Sequence, residues 1–595
     1  MTIRVSDYIA NYLKAIGVRT VFLVAGGGMM HLIDALGRIE GLHYVCNHHE
    51  QASAIAADAC ARQTGVIGVC YATSGPGATN ILTGLVGAWQ DSSPVLFLTG
   101  QSKISETIRG TGLPELRQFG TFEVDIVPIV KSVTKYAVFL SDPHNVRYEL
   151  EKAIHLAVSG RPGPVLIDIP LDIQGSQIDP KTLIGYTVPA EVINDNGGVE
   201  DILNRLRSSK RPLILAGWGV RCAKAVPIFR EMIRKLKIPV VVTPLGKDIL
   251  TCDDPLFVGH PGVKGDRAGN FAIQNADFIL SLGNSLHTQT TGYEFDLFAP
   301  NAYKIQVEPD EAVLKKKTVQ VDKKINSSIV PVMEYLIDLA GIRWDSSDYD
   351  DWRKRCADWK IHYAINREPH RIDEGLVNYY EFVDTLSNLL KGSETIIADA
   401  GSSFYVMGQA LRLKGTQRFI SSGSMGAMGF SLPAGLGVCA SNPNLMAVCV
   451  TGDGSFQCNI QELQTISHNN FNLKIFVIQN DGYVSIRNTQ KAFFDGYFVG
   501  SSKDSGVSMP PLEKIADAYG IPFIHCKSRT QLGDAVIQTI DTKGPVICGV
   551  RAQTDQAIIP TVSSVRLPNG KMQSRPLHDM FPFLSEDEIK KNMVI

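Results

Sequence analysis

Short continuous apolar runs alternate with helical patterns along most of this chain. In the first 175 residues the runs fall at 20–24, 43–47, 67–71, 95–99 and 165–169, and a chain that alternates in this way predicts a parallel sheet covered on both faces. The chain opens on Val5, Tyr8, Ile9, Tyr12, Leu13 and Ile16 at helical spacing, so the first element is an amphipathic helix. A polar stretch over 175–198 reads as a linker. The alternation resumes with runs at 213–216, 240–243, 278–282 and 304–307, and stops before a charged, Trp-containing helix at 350–362. A third series has runs at 395–398, 447–450, 473–479 and 546–550.

The pattern therefore predicts an α/β fold of three doubly wound parallel-sheet modules, over 1–175, 190–345 and 375–550. Their similar length suggests duplication, although no residue-level repeat is visible. Residues 552–595 are irregular and rich in Pro, Ser and charge, so they are expected to be a C-terminal tail that caps the site or is disordered.

Composition narrows the function class. A chain of 595 residues has room for three or four domains of about 150–200 residues each. Hydrophobic residues make up 44% and charged residues 20%, as in ordinary globular proteins. Lys and Arg (58) nearly cancel Asp and Glu (60), which gives no electrostatic argument for a nucleic-acid or membrane partner. No signal peptide or spanning segment is apparent, so the expected location is cytoplasmic. The 11 cysteines are scattered without metal-ligand spacing, several inside apolar runs, and read as buried free thiols of a reducing compartment.

Candidate chemistry concentrates in the third series. Gly452-Asp453-Gly454-Ser455 closes one apolar run and Asn480-Asp481-Gly482 closes the next, with 25 residues between Gly454 and Asn480. Read as strand, turn, helix, strand, this puts Asp453 and Asn480 at the carboxyl ends of neighbouring parallel strands, where open α/β sheets bind ligands. Two hard oxygen ligands beside a helix expected at 457–469 suit Mg²⁺ carrying a diphosphate, with the Gly482 carbonyl as third protein ligand. In the first module, Glu50 follows the run 43–47 and precedes an alanine-rich helical stretch at 52–61. Alone it reads as a helix N-terminal Glu; with the distant metal motif it becomes a site candidate.

The Gly452 to Asn480 segment resembles the signature of thiamine diphosphate enzymes. The resemblance reaches nearly the whole chain to about residue 550 through His49-Glu50-Gln51-Ala52, Thr73-Ser74-Gly75-Pro76-Gly77-Ala78-Thr79-Asn80, Thr99-Gly100-Gln101, Arg161-Pro162-Gly163-Pro164 and Gly426-Ala427-Met428-Gly429. It is narrower still to the acetolactate (acetohydroxyacid) synthase branch. It implies thiamine diphosphate held through Mg²⁺ by Asp453, Asn480 and the Gly482 carbonyl, with Gly26, Gly27, Gly452, Gly454 and Ser455 against the cofactor. It also implies that the backbone at Gly426 meets the aminopyrimidine, that Met428 wedges between the cofactor rings, and that Glu50 bonds the pyrimidine N1′. A desolvated carboxyl group there can share a proton near neutral pH. His49, beside Glu50, and Gln101 are weaker catalytic candidates.

The implied reaction decarboxylates a 2-oxo acid such as pyruvate and passes the two-carbon unit to a second carbonyl, which is an oxo acid, an aldehyde or a keto sugar. Simple decarboxylation or flavin-linked oxidation is the alternative outcome. Because Glu50 and Asp453 lie on different modules, the cofactor must sit between two sheet edges. In the family these come from two subunits, which implies a homodimer or homotetramer.

Departures from the branch fall on the substrate side and in the middle module. The chain has Pro170-Leu171-Asp172-Ile173, Thr121-Phe122-Glu123 with Gln118 nearby, Gly401-Ser402-Ser403-Phe404 and Ile486-Arg487-Asn488 where acetolactate synthases carry other residues. Gly217-Trp218-Gly219 and Gly259-His260-Pro261-Gly262 keep part of the flavin-binding pattern, whereas Ser285-Leu286-His287-Thr288-Gln289 replaces an arginine-bearing run. FAD binding is left open, with a loss of diphosphate partners.

Overall fold

A computed structural model describes residues 2–189, 197–343, 345–370 and 375–594. Residues 190–196 of the expected linker lie outside the described residues. Three six-stranded sheets, parallel throughout, organise the chain. Their central strands, such as Val95–Gln101 and Leu473–Gln479, are buried almost end to end, which is why they read as continuous apolar runs rather than alternating ones.

The first sheet runs in the order His43–Cys46, Thr20–Leu23, Gly68–Ala72, Val95–Gln101, Val165–Pro170, Tyr136–Phe139. The third runs Arg418–Ser421, Thr395–Ala398, Ala447–Gly452, Leu473–Gln479, Val546–Arg551, Phe523–Cys526. Numbered by position in the chain, both read 2-1-3-4-6-5. The central sheet runs Phe257–Gly259, Val240–Val242, Pro212–Ala216, Phe278–Leu282, Tyr303–Val307, Lys323–Ile325, which reads 3-2-1-4-5-6, the dinucleotide-binding order. The expected likeness of all three modules therefore holds for two, and the middle one is wound differently.

Five strands fall outside the runs read from the sequence: Tyr136–Phe139, Phe257–Gly259, Lys323–Ile325, Arg418–Ser421 and Phe523–Cys526. All five are edge strands. An edge strand has one neighbour, so Tyr136–Phe139 is only half-buried along its length, and Lys323–Ile325 and Arg418–Ser421 admit charged residues.

The first and third modules share one hydrophobic core, which joins Phe22, Ala56 and Phe97 to Phe430, Leu436 and Ile475. Its seam is the helix Glu50–Thr64 against the helix Ser431–Ser441. Ala52, Ala54, Ala56, Ala57, Ala59 and Ala61 are all buried on the first helix. A Cβ at Gly437 would lie 2.2 Å from the Ala56 carbonyl oxygen, so small residues on both sides allow the backbones to approach closely.

The C-terminal segment is ordered and covers the central module, which corrects the expectation of an irregular tail. Val562, Leu577 and Met580 join Phe271, Trp352 and Trp359 in one core. Arg267 donates to the Met580 and Pro582 carbonyls, and Trp359 Nε1 donates to Asn592 Oδ1 at 2.7 Å. All 11 cysteines are free. Among the described residues no helix is long and apolar enough to cross a membrane.

Candidate active site

Three adjacent strands of the first sheet deliver their loops to one carboxyl edge. The strand His43–Cys46 leads into Glu50, which is buried and opens the helix Glu50–Thr64. His49 caps that helix: its Nδ1 accepts from the Gln51 N–H at 3.1 Å, while Gly65, in the left-handed region at φ 71°, ends it. The Glu50 carboxylate accepts from Asn80 Nδ2 at 2.9 Å. A Cβ at Gly77 would stand 3.2 Å from Glu50 Oε1, so the glycine keeps that side of the carboxylate clear. Gly28 N–H donates to Thr73 Oγ1 at 3.1 Å, which joins the Gly26-Gly27 loop to the Thr73–Gly77 turn. Gly26 packs on Thr73, whereas Gly27 faces open space.

Gln101 lies deeper. It is buried, its Nε2 donates to the Val124 carbonyl at 2.8 Å and to Asp168 Oδ2 at 3.1 Å, and its Oε1 accepts from the Ser102 N–H. Burial pushes the Asp168 carboxyl up to about 7. With its amide used in this way, Gln101 organises the loop beneath the edge.

At the third sheet, Ala447–Gly452 ends directly in Asp453, the first residue of the short helix Asp453–Phe456. The single helix expected at 457–469 is instead a succession, Asp453–Phe456, Gln457–Asn459 and Glu462–His468. Asp453 is buried, and its Oδ2 accepts from the Asn480 N–H at 3.0 Å and the Asp481 N–H at 2.8 Å, with Oδ1 at 3.4 Å from the Gly482 nitrogen. Burial pushes its carboxyl up to about 6, opposed by these amides and that of Gly454. Asn480 Oδ1 is buried with no hydrogen-bond partner among the described residues. A buried amide oxygen with no donor is costly in protein alone and suits a cation. Gly452 faces open space, and Ser455 is buried beside Gly454 in the same helix.

The loop 422–429 is clamped at both ends by buried carboxylates. Asp399 accepts from the Gly429 N–H at 3.0 Å and the Ser431 N–H at 2.9 Å. Asp91, from the first module, accepts from Gly423 and Ser424. Arg62 ties Asp91 to Asp58 and donates to the Ser421 carbonyl at 2.9 Å. Between the clamps Gly426 adopts φ 64°, and Met428 is 41% exposed. That exposure separates Met428 from a core-filling methionine.

Comparison with known proteins agrees with this arrangement module by module. Residues 3–120 match the N-terminal TPP binding domain of thiamine pyrophosphate enzymes, residues 199–336 their central domain and residues 399–550 their C-terminal TPP binding domain. The chain is 32% identical over 580 residues to the acetolactate synthase isozyme 2 large subunit of Escherichia coli (strain K12), covering 97% of this chain and 99% of that one. The acetolactate synthase large subunits of Cyanidium caldarium and Lactococcus lactis subsp. lactis (strain IL1403) are 31% and 30% identical, each over 94% of both chains. The chain belongs to the thiamine pyrophosphate enzyme family.

Within that family's frame, the two 2-1-3-4-6-5 sheets are the two cofactor-binding domains, and Glu50 and Asp453 stand at their carboxyl edges. No hydrogen bond or ion pair among the described residues joins Glu50 to Asp453; each is held within its own module. A cavity of about 1020 Å³ opens at the central sheet, lined also by Arg161 of the first module and Gly423 of the third. It includes the loops after Pro212–Ala216 and Phe278–Leu282, adjacent strands at the point where the order reverses. Gly217 and Gly219 pass so close to Gly283 there that a Cβ would meet it at 2.2 and 2.6 Å. Trp218 Nε1 and Asn284 Nδ2 are buried donors without a partner among the described residues.

Sequence reasoning missed Asn80 as the partner of Glu50, the clamps Asp91 and Asp399, and Arg487. Asp399 carries a usable signal, an acid directly after an apolar run, as at Asp453. Asp91 carries none, and Asn80 shows only as the end of the Thr73–Asn80 motif, because their roles depend on contacts between elements distant in sequence.

Proposed function

We propose that this chain is a Mg²⁺-dependent carboligase that decarboxylates a 2-oxo acid, pyruvate first, and transfers the two-carbon unit to a second carbonyl compound. The observation that carries the reading is the oxygen set of the third module: a buried Asp453, an orphaned Asn480 Oδ1 and the Gly482 carbonyl beside a helix start. Asp453, Asn480 and Gly482 would hold the metal, and the amides after Gly452 would take the diphosphate. Thiamine diphosphate, when bound, supplies the electron sink for loss of CO2. The chain's own part is to hold a proton on Glu50 at the pyrimidine edge, to wedge the cofactor with Met428 and to keep water out. Glu50 and Asp453 act on one cofactor when two copies meet, and large apolar side chains stand exposed by both edges, Phe122 at 71% and Tyr497 at 79%. A homodimer, or a tetramer of two such dimers, is the assembly this favours.

The central cavity takes FAD. Its switch-point position, close-packed glycines, unpartnered Trp218 and Asn284 donors and lining Arg161 support a dinucleotide even though the arginine-bearing run is replaced.

Incubation of pyruvate, thiamine diphosphate and Mg²⁺ with a panel of carbonyl acceptors, followed by NMR, tests the reaction. A carbon–carbon coupled product is expected, and acetaldehyde alone would overturn the carboligase. An absorbance scan of the same protein after reconstitution with FAD and removal of unbound flavin by gel filtration should show flavin bands, and their absence removes the flavin from the proposal.

A further inference from the structure

Arg487 is a buried cation without a carboxylate partner among the described residues. It lies on the helix Val484–Phe493 and is 7% exposed. Its guanidinium makes four hydrogen bonds, all to backbone carbonyls: Nη2 to Asn480 at 2.7 Å and Thr554 at 3.0 Å, Nη1 to Asp481 at 2.9 Å and Ser501 at 3.0 Å. Burial depresses its pKa, opposed by Asp453 and Asp481. Burying a guanidinium costs several kcal/mol unless its donors are fully used, and this planar fork is used on four acceptors at once.

Two of those acceptors are consecutive carbonyls of the turn that carries the metal oxygens. In the same turn the N–H groups of Asn480 and Asp481 go to Asp453, with Gly482 N 3.4 Å from its Oδ1. The turn is left-handed, with φ 59° at Asp481 and 121° at Gly482. A Cβ on Gly482 would fall 2.5 Å from the Ser501 carbonyl and 3.1 Å from Arg487 Nη1. Every backbone polar group of residues 480 and 481 is thus assigned. Two oxygens stay unclaimed, the Gly482 carbonyl, to which no described residue donates, and Asn480 Oδ1.

We propose that Arg487 is the positioning residue of the metal centre. By taking the Asn480 and Asp481 carbonyls it fixes the turn so that only the Gly482 carbonyl and Asn480 Oδ1 remain to join Asp453 around the cation. A lysine would keep the charge, but it cannot span four carbonyls with a rigid fork. The inference rests on the metal reading proposed above.

The test uses the full-length protein with thiamine diphosphate and Mn²⁺ as probe, with free Mn²⁺ read by electron paramagnetic resonance. Arg487→Lys should bind Mn²⁺ about 10–100-fold more weakly, the usual loss when an outer partner of a metal ligand is changed. Its turnover should recover at saturating Mn²⁺, which a purely structural loss would not allow. Arg487→Met, which lacks both fork and charge, should bind more weakly still. If it does not fold, the lysine variant carries the test. Arg551→Gln removes the exposed ion pair to the Asp481 carboxylate and should change Mn²⁺ affinity only a few-fold. Unchanged affinity in Arg487→Lys, or an equal loss in Arg551→Gln, overturns the assignment. If the unaltered protein itself takes up no Mn²⁺, the metal reading fails and this inference falls with it.

Discussion

The first and third modules have sheets of the same strand order, and both place a buried acid where a strand ends and a helix begins. The surroundings of the two acids differ. Glu50 receives one side-chain hydrogen bond, from Asn80, and Gly77 leaves its other oxygen clear. Asp453 receives the amides of a turn whose carbonyls are in turn held by Arg487. A group that exchanges a proton with a ligand needs a free face, whereas one that holds a cation needs its neighbours fixed before the cation arrives. One scaffold serves both needs because the strands set the place and the loops set the number of partners.

The largest effects are expected when each acid is neutralised in turn. Glu50→Gln should still bind thiamine diphosphate by calorimetry while its turnover of pyruvate falls about 10²–10⁴-fold. Asp453→Ala should instead lose thiamine diphosphate and Mg²⁺ binding together. If both variants lose binding equally, the two edges do not divide the work.

A second measurement asks whether the two edges are mechanically joined. Asp91, at 1% side-chain exposure, pairs with Arg62 and holds the Gly423 and Ser424 amides. Asp91→Ala leaves Arg62 paired with Asp58 but takes the acceptor from the Gly423 and Ser424 amides, which costs about 1–3 kcal/mol for each amide left unsatisfied. Thermal melting should show that loss together with weaker cofactor binding, since the Met428 loop is released at one end. A melt matching the unaltered protein would mean the loop stands without the first module.

The smallest effect tests how the central module is tied to the third. Lys247 Nζ lies 2.7 Å from His260 Nε2 and donates to the Gly408 carbonyl at 2.8 Å, and burial lowers its amine from 10.5 to about 7. Between those values the unfolded chain binds the proton that the folded one has released. Stability from this group therefore rises with pH above about 7 and is flat below it. Lys247→Met should remove a slope of up to about 1.4 kcal/mol per pH unit, read by urea unfolding from pH 7 to 9. Parallel slopes in the two proteins would place the titration elsewhere.

Much of this was legible in the chain. Interior strands such as Leu473–Gln479 announce themselves because both faces are covered, and Asp453, Asn480 and Glu50 could be placed because each directly follows or opens such an element. Edge strands such as Lys323–Ile325 and Arg418–Ser421 stayed hidden because they are short and carry charged residues, and the different winding of the central sheet stayed hidden because strand order leaves no mark on local periodicity. The tail could not be seen to cover the central module, since the residues that receive it, Arg267 and Trp359 among them, lie more than 200 positions away. Arg487 was visible only as a departure from a family pattern, and its use on four carbonyls appears only once the turn is folded.

The alanine seam between the helices Glu50–Thr64 and Ser431–Ser441 bears on where this chain can be cut. A fragment ending before the third module would expose Ala56, Phe97 and their neighbours to water, as a sticky half-core prone to aggregation. The central sheet with its C-terminal cover has an interior of its own, whereas the first and third modules each keep one core to themselves and join in a second, shared one. What looks in sequence like three beads on a string is, for folding, two units: one winds the sheet twice, and the other is threaded through its middle.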